Sequence, residues 1–261
     1  MSKLIERLEK VGMFTPVPIG FGVNRAANKA PSLVLVALSG TKPTISSAQL
    51  KADSYIVVGS KVGKPELKAA KDMWGDYPWG LWPDTLTKDS LDALKGGGGD
   101  FFIFSSLDTN VEVLAEENLG KLITIPVGFP EELGHSLEEI PVDAVLLTGL
   151  EENLPMSVKD LMQIRSIRDL TSKPILLVRA QTLNRNEMVV LQDVGIQGIV
   201  VDMRIMKLED AIQVRDAIDG LPPRKTKHDQ SNGLLPRLSL PGASPQQDDD
   251  DEDDDDDEDY D

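Results

Sequence analysis

The chain has 261 residues and a formal net charge of −17, but that charge is not spread evenly. Thirteen of the 14 residues from Asp248 to Asp261 are acidic; set apart, they leave a body at −4, with 31 acidic and 27 basic side chains. A near-balanced body excludes direct nucleic-acid binding through bulk positive charge. The absence of cysteine excludes a disulfide framework, a thiolate zinc site and a cysteine nucleophile, and no apolar run approaches the roughly 20 residues that span a bilayer.

In chain order, Leu4, Ile5, Leu8 and Val11 recur at helical spacing among Glu6, Arg7, Glu9 and Lys10, which predicts an amphipathic helix over Ser2–Val11. The same charges break up any apolar region of signal-peptide length, so a soluble, cytoplasmic protein that keeps this segment is expected. PIGFGV (Pro18–Val23) reads as a short strand or hairpin.

From Leu33 to about Leu221, short apolar runs alternate with segments of helical period, the pattern of parallel βα units. Eight runs are expected to be strands: Ser32–Ser39, Tyr55–Ser60, Gly80–Asp84, Phe101–Ser106, Leu122–Val127, Ala144–Gly149, Pro174–Arg179 and Gly198–Met203. Their continuous apolarity suits strands covered by helices. Helices are expected over Glu66–Met73, Ser90–Leu94, Val111–Glu117, Val158–Leu170, Glu187–Asp193 and Leu208–Ile218, the last stopped by Gly220, Pro222 and Pro223.

A two-unit repeat runs through this pattern. Asp53, Asp100 and Asp143 each precede an even-numbered run, spaced 47 and 43 residues apart, whereas odd-numbered runs start at Lys121 and Lys173. Alternate strands supply alternate layers of a closed barrel interior, so the repeat favours an α/β fold of the (β/α)8 kind over an open doubly wound sheet. The expected organisation is an N-terminal helix and strand extension (1–31) that closes the bottom of the barrel or lies across its mouth, a (β/α)8 barrel (32–223), a linker (224–247) and a disordered poly-acidic tail (248–261).

In such a barrel the chemical groups lie at the carboxyl ends of the strands. The sequence places Lys61 and Lys64 after the second run, Asp84 at the end of the third, Ser105, Ser106 and Asp108 after the fourth, and Glu151, Glu152 and Asn153 after the sixth. The seventh ends in Arg179, followed by Gln181; the eighth ends in Asp202, followed by Arg204. Arg179 and Asp202 end wholly apolar runs on neighbouring strands. A guanidinium there can clamp a carboxylate or phosphate and a carboxylate can move protons, or the two form a structural ion pair at the rim.

The other candidates have bland readings beside the functional ones. Lys61 is an anion contact or a solvated loop lysine. Asp84, in WPDT beside Trp79 and Trp82, is an acid or base or a turn and cap residue. Gly96–Gly99 precedes a strand and reads as a bottom connection, not a phosphate loop. His135 and His228 have no partner at metal-ligand spacing, so no metal site is expected. No cofactor is identified; GFG at Gly20–Gly22 is the one trace of a flavin or nicotinamide motif.

ADSYIVVGS (Ala52–Ser60), VDAVLLTG (Val142–Gly149) and DVGIQGIVVD (Asp193–Asp202) resemble the aldolase-type and ribulose-phosphate-binding TIM barrels. The resemblance implies lyases, isomerases or synthases of phosphorylated metabolites, with glycine-rich phosphate loops after strands seven and eight. This chain has RAQTLNRNE and DMRIMKLED there, without glycine, and no strand ends in lysine. Asn184, Arg185 and Arg204 are the side chains placed to replace the phosphate cup.

Two functions follow as expectations. One is a barrel binding a small anionic metabolite, of lyase or isomerase type, with Asp202 and Asp84 as catalytic groups and Arg179, Arg204, Lys61 and Gln181 as binding groups. The other is a catalytically silent scaffold that engages a basic protein through Asp248–Asp261.

Overall fold

The computed structural model describes residues 2–11, 31–60, 62–105, 107–150 and 155–222. Eight parallel strands close into a barrel in sequence order: β1 Val34–Ser39, β2 Ser54–Gly59, β3 Trp79–Pro83, β4 Phe101–Phe104, β5 Gly120–Pro126, β6 Ala144–Thr148, β7 Ile175–Arg179 and β8 Gly198–Asp202. The last strand pairs with the first, Val34 against Gly198 through Leu38 against Asp202. Closure removes both sheet edges, and the open doubly wound alternative is thereby excluded.

Among the described residues seven α-helices accompany the strands: α1 Lys3–Glu9, α2 Lys64–Trp74, α3 Lys88–Gly97, α4 Glu131–Gly134, α5 Val158–Leu170, α6 Arg185–Val194 and α7 Leu208–Asp219. Capping explains where several start: Thr87, Ser157 and Asn184 each accept from the amide three residues on, within capping boxes. The expected helix over Val111–Glu117 is instead a short 3-10 turn, Val111–Ala115, in which Val113 alone is buried. One inward side chain per turn does not support a longer amphipathic helix. Between β1 and β2 a loop takes the place of a helix. It is pinned by the Trp74 indole N–H on the Ile45 carbonyl (2.9 Å) and the Tyr55 hydroxyl on the Leu50 carbonyl (2.5 Å), and burial pushes the Tyr55 phenol up to about 12.

Strand alternation sorts the core into two layers. Val36, Ile56, Phe101, Ile103, Leu122, Leu146, Leu176 and Val200 fill the barrel lumen, whereas Leu35, Tyr55, Phe102, Ile123, Leu147, Leu177 and Val201 pack between barrel and helices. The expected N-terminal helix closes the bottom. Leu4, Ile5, Leu8 and Val11 belong to the lumen core, and Asp100, ahead of β4, accepts from Ser2 Oγ (2.7 Å) and from the amides of Lys3 (2.8 Å) and Leu4 (3.0 Å). Gly120 makes the seat: a Cβ there would stand 2.8 Å from Ser2. The four glycines at 96–99 end α3 on this face, with Gly98 in the left-handed region at φ +81°.

The aspartate repeat has a structural cause. Asp53 donates its amide to the Leu35 carbonyl and accepts the Leu35 amide on its carboxylate, both at 2.8 Å; Asp143 does the same with Lys121, both at 2.8 Å. Gln197 completes the set with Ile175, at 2.9 and 2.8 Å. Asp100 keeps the amide bond to Trp79 (2.8 Å) but turns its carboxylate to α1. The lysines that open odd strands also bind backbone, Lys121 at the Leu114 and Glu116 carbonyls and Lys173 at those of Ile140 and Val142. Residues 12–30 and 223–261, including PIGFGV, the linker and the acidic tail, lie outside the described residues.

Two predictions concern this bottom face. Leu8→Ala, truncating a side chain 1% exposed in the plug, lowers the unfolding free energy by about 2–4 kcal/mol in urea titration; a loss under about 0.5 kcal/mol means α1 is dispensable to the barrel. Glu138 accepts from Ser172 Oγ, the Ser172 amide and Thr171 Oγ1, which lower its carboxyl from 4.5 to about 2. A depressed carboxyl contributes stability above the unfolded value that disappears as pH falls through the folded one. The stability difference between wild type and Glu138→Gln therefore shrinks between pH 4.5 and 2, by a small amount because Glu138 is exposed.

Candidate functional site

The carboxyl ends of the strands open around the top of the lumen core. The inward side chains there are Val58 on β2, Trp82 on β3, Ser105 after β4, Thr124 on β5, Thr148 on β6 and Asp202 on β8, by the same alternation that puts Ile56, Ile103, Leu122, Leu146 and Val200 in the lumen. Trp82 donates its indole N–H to Ser105 Oγ, which fixes the ring across the β3–β4 side. Among the described residues, Asp202 is the one ionisable side chain on the inward face of a strand end.

Asp202 is 5% exposed and is held by Arg204, with Nε on Oδ1 at 2.9 Å, Nη2 on Oδ2 at 2.7 Å and the Arg204 amide on Oδ1 at 3.0 Å. The turn is closed by the Ile205 and Met206 amides on the Asp202 carbonyl. This bidentate fork raises the already high pKa of Arg204 through its hydrogen bonds to Asp202, so the guanidinium stays charged. Arg204 is half exposed, and its Nη1 has no partner among the described residues. The pair therefore leaves one guanidinium edge unpaired just beyond the carboxyl end of β8.

The expected Arg179–Asp202 pair is not the one the fold assembles. Arg179 shares the face of Ile175 and Leu177, which lies in the layer between barrel and helices, and Asp202 shares the opposite face, that of Val200. Arg179 is fully buried and donates Nη1 to the Leu150 carbonyl, holding the chain that leaves β6. The two residues end neighbouring strands, but strand parity sends their side chains to opposite sides of the sheet.

The remaining candidates scatter. Asp84 is exposed on the bend after β3, and Thr87, not Asp84, caps α3. Gln181 is exposed beyond β7, and Asp108 is exposed beyond β4. Lys61, Ser106, Glu151, Glu152 and Asn153 lie outside the described residues. Of the side chains placed to replace a phosphate cup, Asn184 caps α6 through the Glu187 amide (2.9 Å) and Arg185 binds the Gly220 carbonyl (2.8 Å), so only Arg204 remains available at the mouth. A cleft of about 410 Å³ adjoins the mouth, with Ser60, Lys64, Thr85 and Thr87 over Leu81 and Ala93.

Ser105 and Trp82 were each named from the sequence, but their contact with one another was not, and neither were the two threonines. The usable signal is parity: Thr124 and Thr148 interrupt apolar strands at positions an even number of residues from Leu122 and Leu146, on the lumen side.

No protein-family model matches the chain and no curated protein matches it. Among solved structures it is similar to the tryptophan synthase alpha-subunit of the hyperthermophile Pyrococcus furiosus. One mutant alpha-subunit aligns at 13% identity and TM-score 0.56 over 72% of this chain and 96% of that one, and another at 13% and 0.57 over 71% and 96%. The tryptophan synthase complex of the same organism aligns at 12% and 0.54 over 71% and 96%. The shared property is the fold. The resemblance to ribulose-phosphate-binding barrels noted from the sequence holds at that level. No helix among the described residues is long and apolar enough to cross a membrane.

A structural role for Arg179 predicts that Arg179→Ala lowers stability by roughly 2–4 kcal/mol, through a cavity and an abandoned buried carbonyl, whereas Arg204→Ala creates no cavity at its half-exposed site but leaves the Asp202 carboxylate with the residue-204 amide, a loss of about 1–2 kcal/mol. Denaturant midpoints of the two variants measure this, and equal losses contradict it.

Proposed function

We propose that this chain is a small-molecule-binding barrel that takes a small anionic metabolite, phosphorylated or carboxylate, at its carboxyl-terminal mouth, with Arg204 as the anion contact. The observation that carries the reading is the tether of Arg204: Asp202, on the inward face of the β8 end, holds two of its nitrogens and leaves Nη1 without a partner among the described residues on a half-exposed side chain. A guanidinium held in this way offers hydrogen bonds to an anion without the entropy of fixing a loose side chain. The chemistry proposed is proton transfer of lyase or isomerase type, with Asp202, still held by Arg204, as the group that accepts or returns a proton. Fold likeness adds nothing to this assignment, because one barrel architecture hosts many chemistries. Arg179, Asp84, Gln181 and Lys61 have no part in the proposed contact.

A second reading has its own support. Asn184 and Arg185, the side chains that stood in for a phosphate cup, are engaged in a helix cap and a backbone contact, and Asp84 is isolated at the rim. In this reading the barrel is catalytically silent and serves as a scaffold whose poly-acidic segment, Asp248–Asp261, binds a basic protein.

Thermal melting of the full chain with inorganic phosphate, phosphorylated sugars and small carboxylic acids separates the two. At a hundredfold excess over Kd a native-state ligand adds about 2.7 kcal/mol of stability. The metabolite reading expects an anion to raise the wild-type melting temperature by several degrees, Arg204→Ala to lose the rise, and Arg179→Ala to keep it from a lower starting point. If no anion raises the wild type, and a basic protein binds the full chain but not one truncated before Asp248, the scaffold reading stands instead.

A further inference from the structure

Thr124 occupies an inward position of β5, two residues above Leu122 in the lumen, and its Oγ1 is buried without a hydrogen-bond partner. The hydroxyls beside it are engaged. Phe104 pairs with Ile123, so Ser105 lies next to Thr124 across the β4–β5 ladder, and Ser105 already takes the Trp82 indole N–H. On the other side Thr124 pairs with Leu146, and Thr148, two residues further along β6, donates to the Ile125 carbonyl at 3.4 Å.

An unpartnered buried hydroxyl carries the full desolvation cost of the group, and native structures hold few such groups. Valine fills the same space without that cost. The residue is part-exposed at the mouth although its oxygen is not, and a 120° step in χ1 exchanges hydroxyl and methyl between staggered positions. A ligand entering the mouth can thus be met by a donor and acceptor that nothing in the free protein occupies.

We infer that Thr124 is a specificity-determining residue of the mouth, selecting ligands that carry a neutral hydrogen-bonding atom, a hydroxyl or carbonyl oxygen, at the depth of β5, with their anionic group on the Arg204 side. This rests on the mouth being the binding site. The hydroxyl discriminates in both directions: a ligand that satisfies it gains a shielded hydrogen bond, and an apolar analogue leaves it unmet.

The test pairs two ligands with one variant. Glycerol 3-phosphate and propyl phosphate share a phosphate and a three-carbon chain and differ in hydroxyls. Calorimetry on the full chain is expected to show a preference of about tenfold for glycerol 3-phosphate in the wild type, falling to about twofold in Thr124→Val with the propyl phosphate affinity unchanged. No preference in the wild type, or the same preference in the variant, overturns the inference. A ligand-free arm stands apart from the anion contact: Thr124→Val is expected to melt about 2–4 °C above the wild type, because it removes an unsatisfied group. Melting at or below the wild type shows the hydroxyl to be satisfied already and also overturns the inference. If neither phosphate binds the wild type, the assignment of Arg204 fails on its own and the melting arm still decides Thr124.

Discussion

Reciprocal hydrogen bonding at the bottom of the barrel, between the residue ahead of an even strand and the first residues of the odd strand before it, is the constraint on which the rest of the molecule depends. Asp53 with Leu35, Asp143 with Lys121 and Gln197 with Ile175 each exchange a backbone bond and a side-chain bond. Each exchange locks one strand against its neighbour at a single register. Side-chain direction alternates along a strand, so a slip of one residue would send the lumen set to the helix layer. It would turn Val201 to the mouth in place of Asp202. The chemical face is therefore specified from the opposite end of the strands.

Long-range polar contacts serve both ends of the strands. The bottom face carries the α1 amides on Asp100, Arg215 on Asp53 at 2.9 Å, the lysines that bind preceding loops, and the Glu138 contacts to Thr171 and Ser172. At the mouth, among the described residues, Arg204 holds Asp202 two residues away, Trp82 holds Ser105 across one ladder, Arg179 reaches the Leu150 carbonyl, and Glu187 accepts the Met156 amide. The contacts at the amino-terminal ends set strand register, and those at the carboxyl-terminal ends hold the loops that follow the strands.

The eight strands were legible because strands covered on both faces are apolar without interruption, a signal that survives without partners or homologues. Helix ends were legible to within a few residues, with Gly220 read as a stop, but the caps Thr87, Ser157 and Asn184 were not, the α3 cap having been sought in Asp84 and Asn184 in a phosphate cup. The aspartate repeat was visible too, but its fourth member, Gln197, was not, because an amide fills the same hydrogen-bonding role with a different letter. The mouth was read less well for a specific reason. Strand ends were selected by position along the chain, which ranks Arg179 and Asp202 together, whereas parity relative to the lumen separates them. Counting on two residues from Val200 puts Asp202 inward, and counting on two from Leu177 puts Arg179 outward.

The Asp202–Arg204 pair also determines what kind of recognition this mouth can perform. A glycine-rich phosphate loop attracts anions through converging amides and a helix dipole, with no countercharge. Here the guanidinium is already neutralised by a carboxylate within 3 Å, and the body around it is itself slightly acidic at −4. Long-range attraction for an anion is correspondingly weak, since opposite charges so close cancel at distances beyond a few ångströms. What remains is directional: one guanidinium edge, an indole held by Ser105, and a threonine hydroxyl without a partner. Under the proposed function, such a site discriminates by the fit of hydrogen bonds at contact, not by drawing charge from solution, and the ligand it takes satisfies the neutral side of the mouth as well as the charged one.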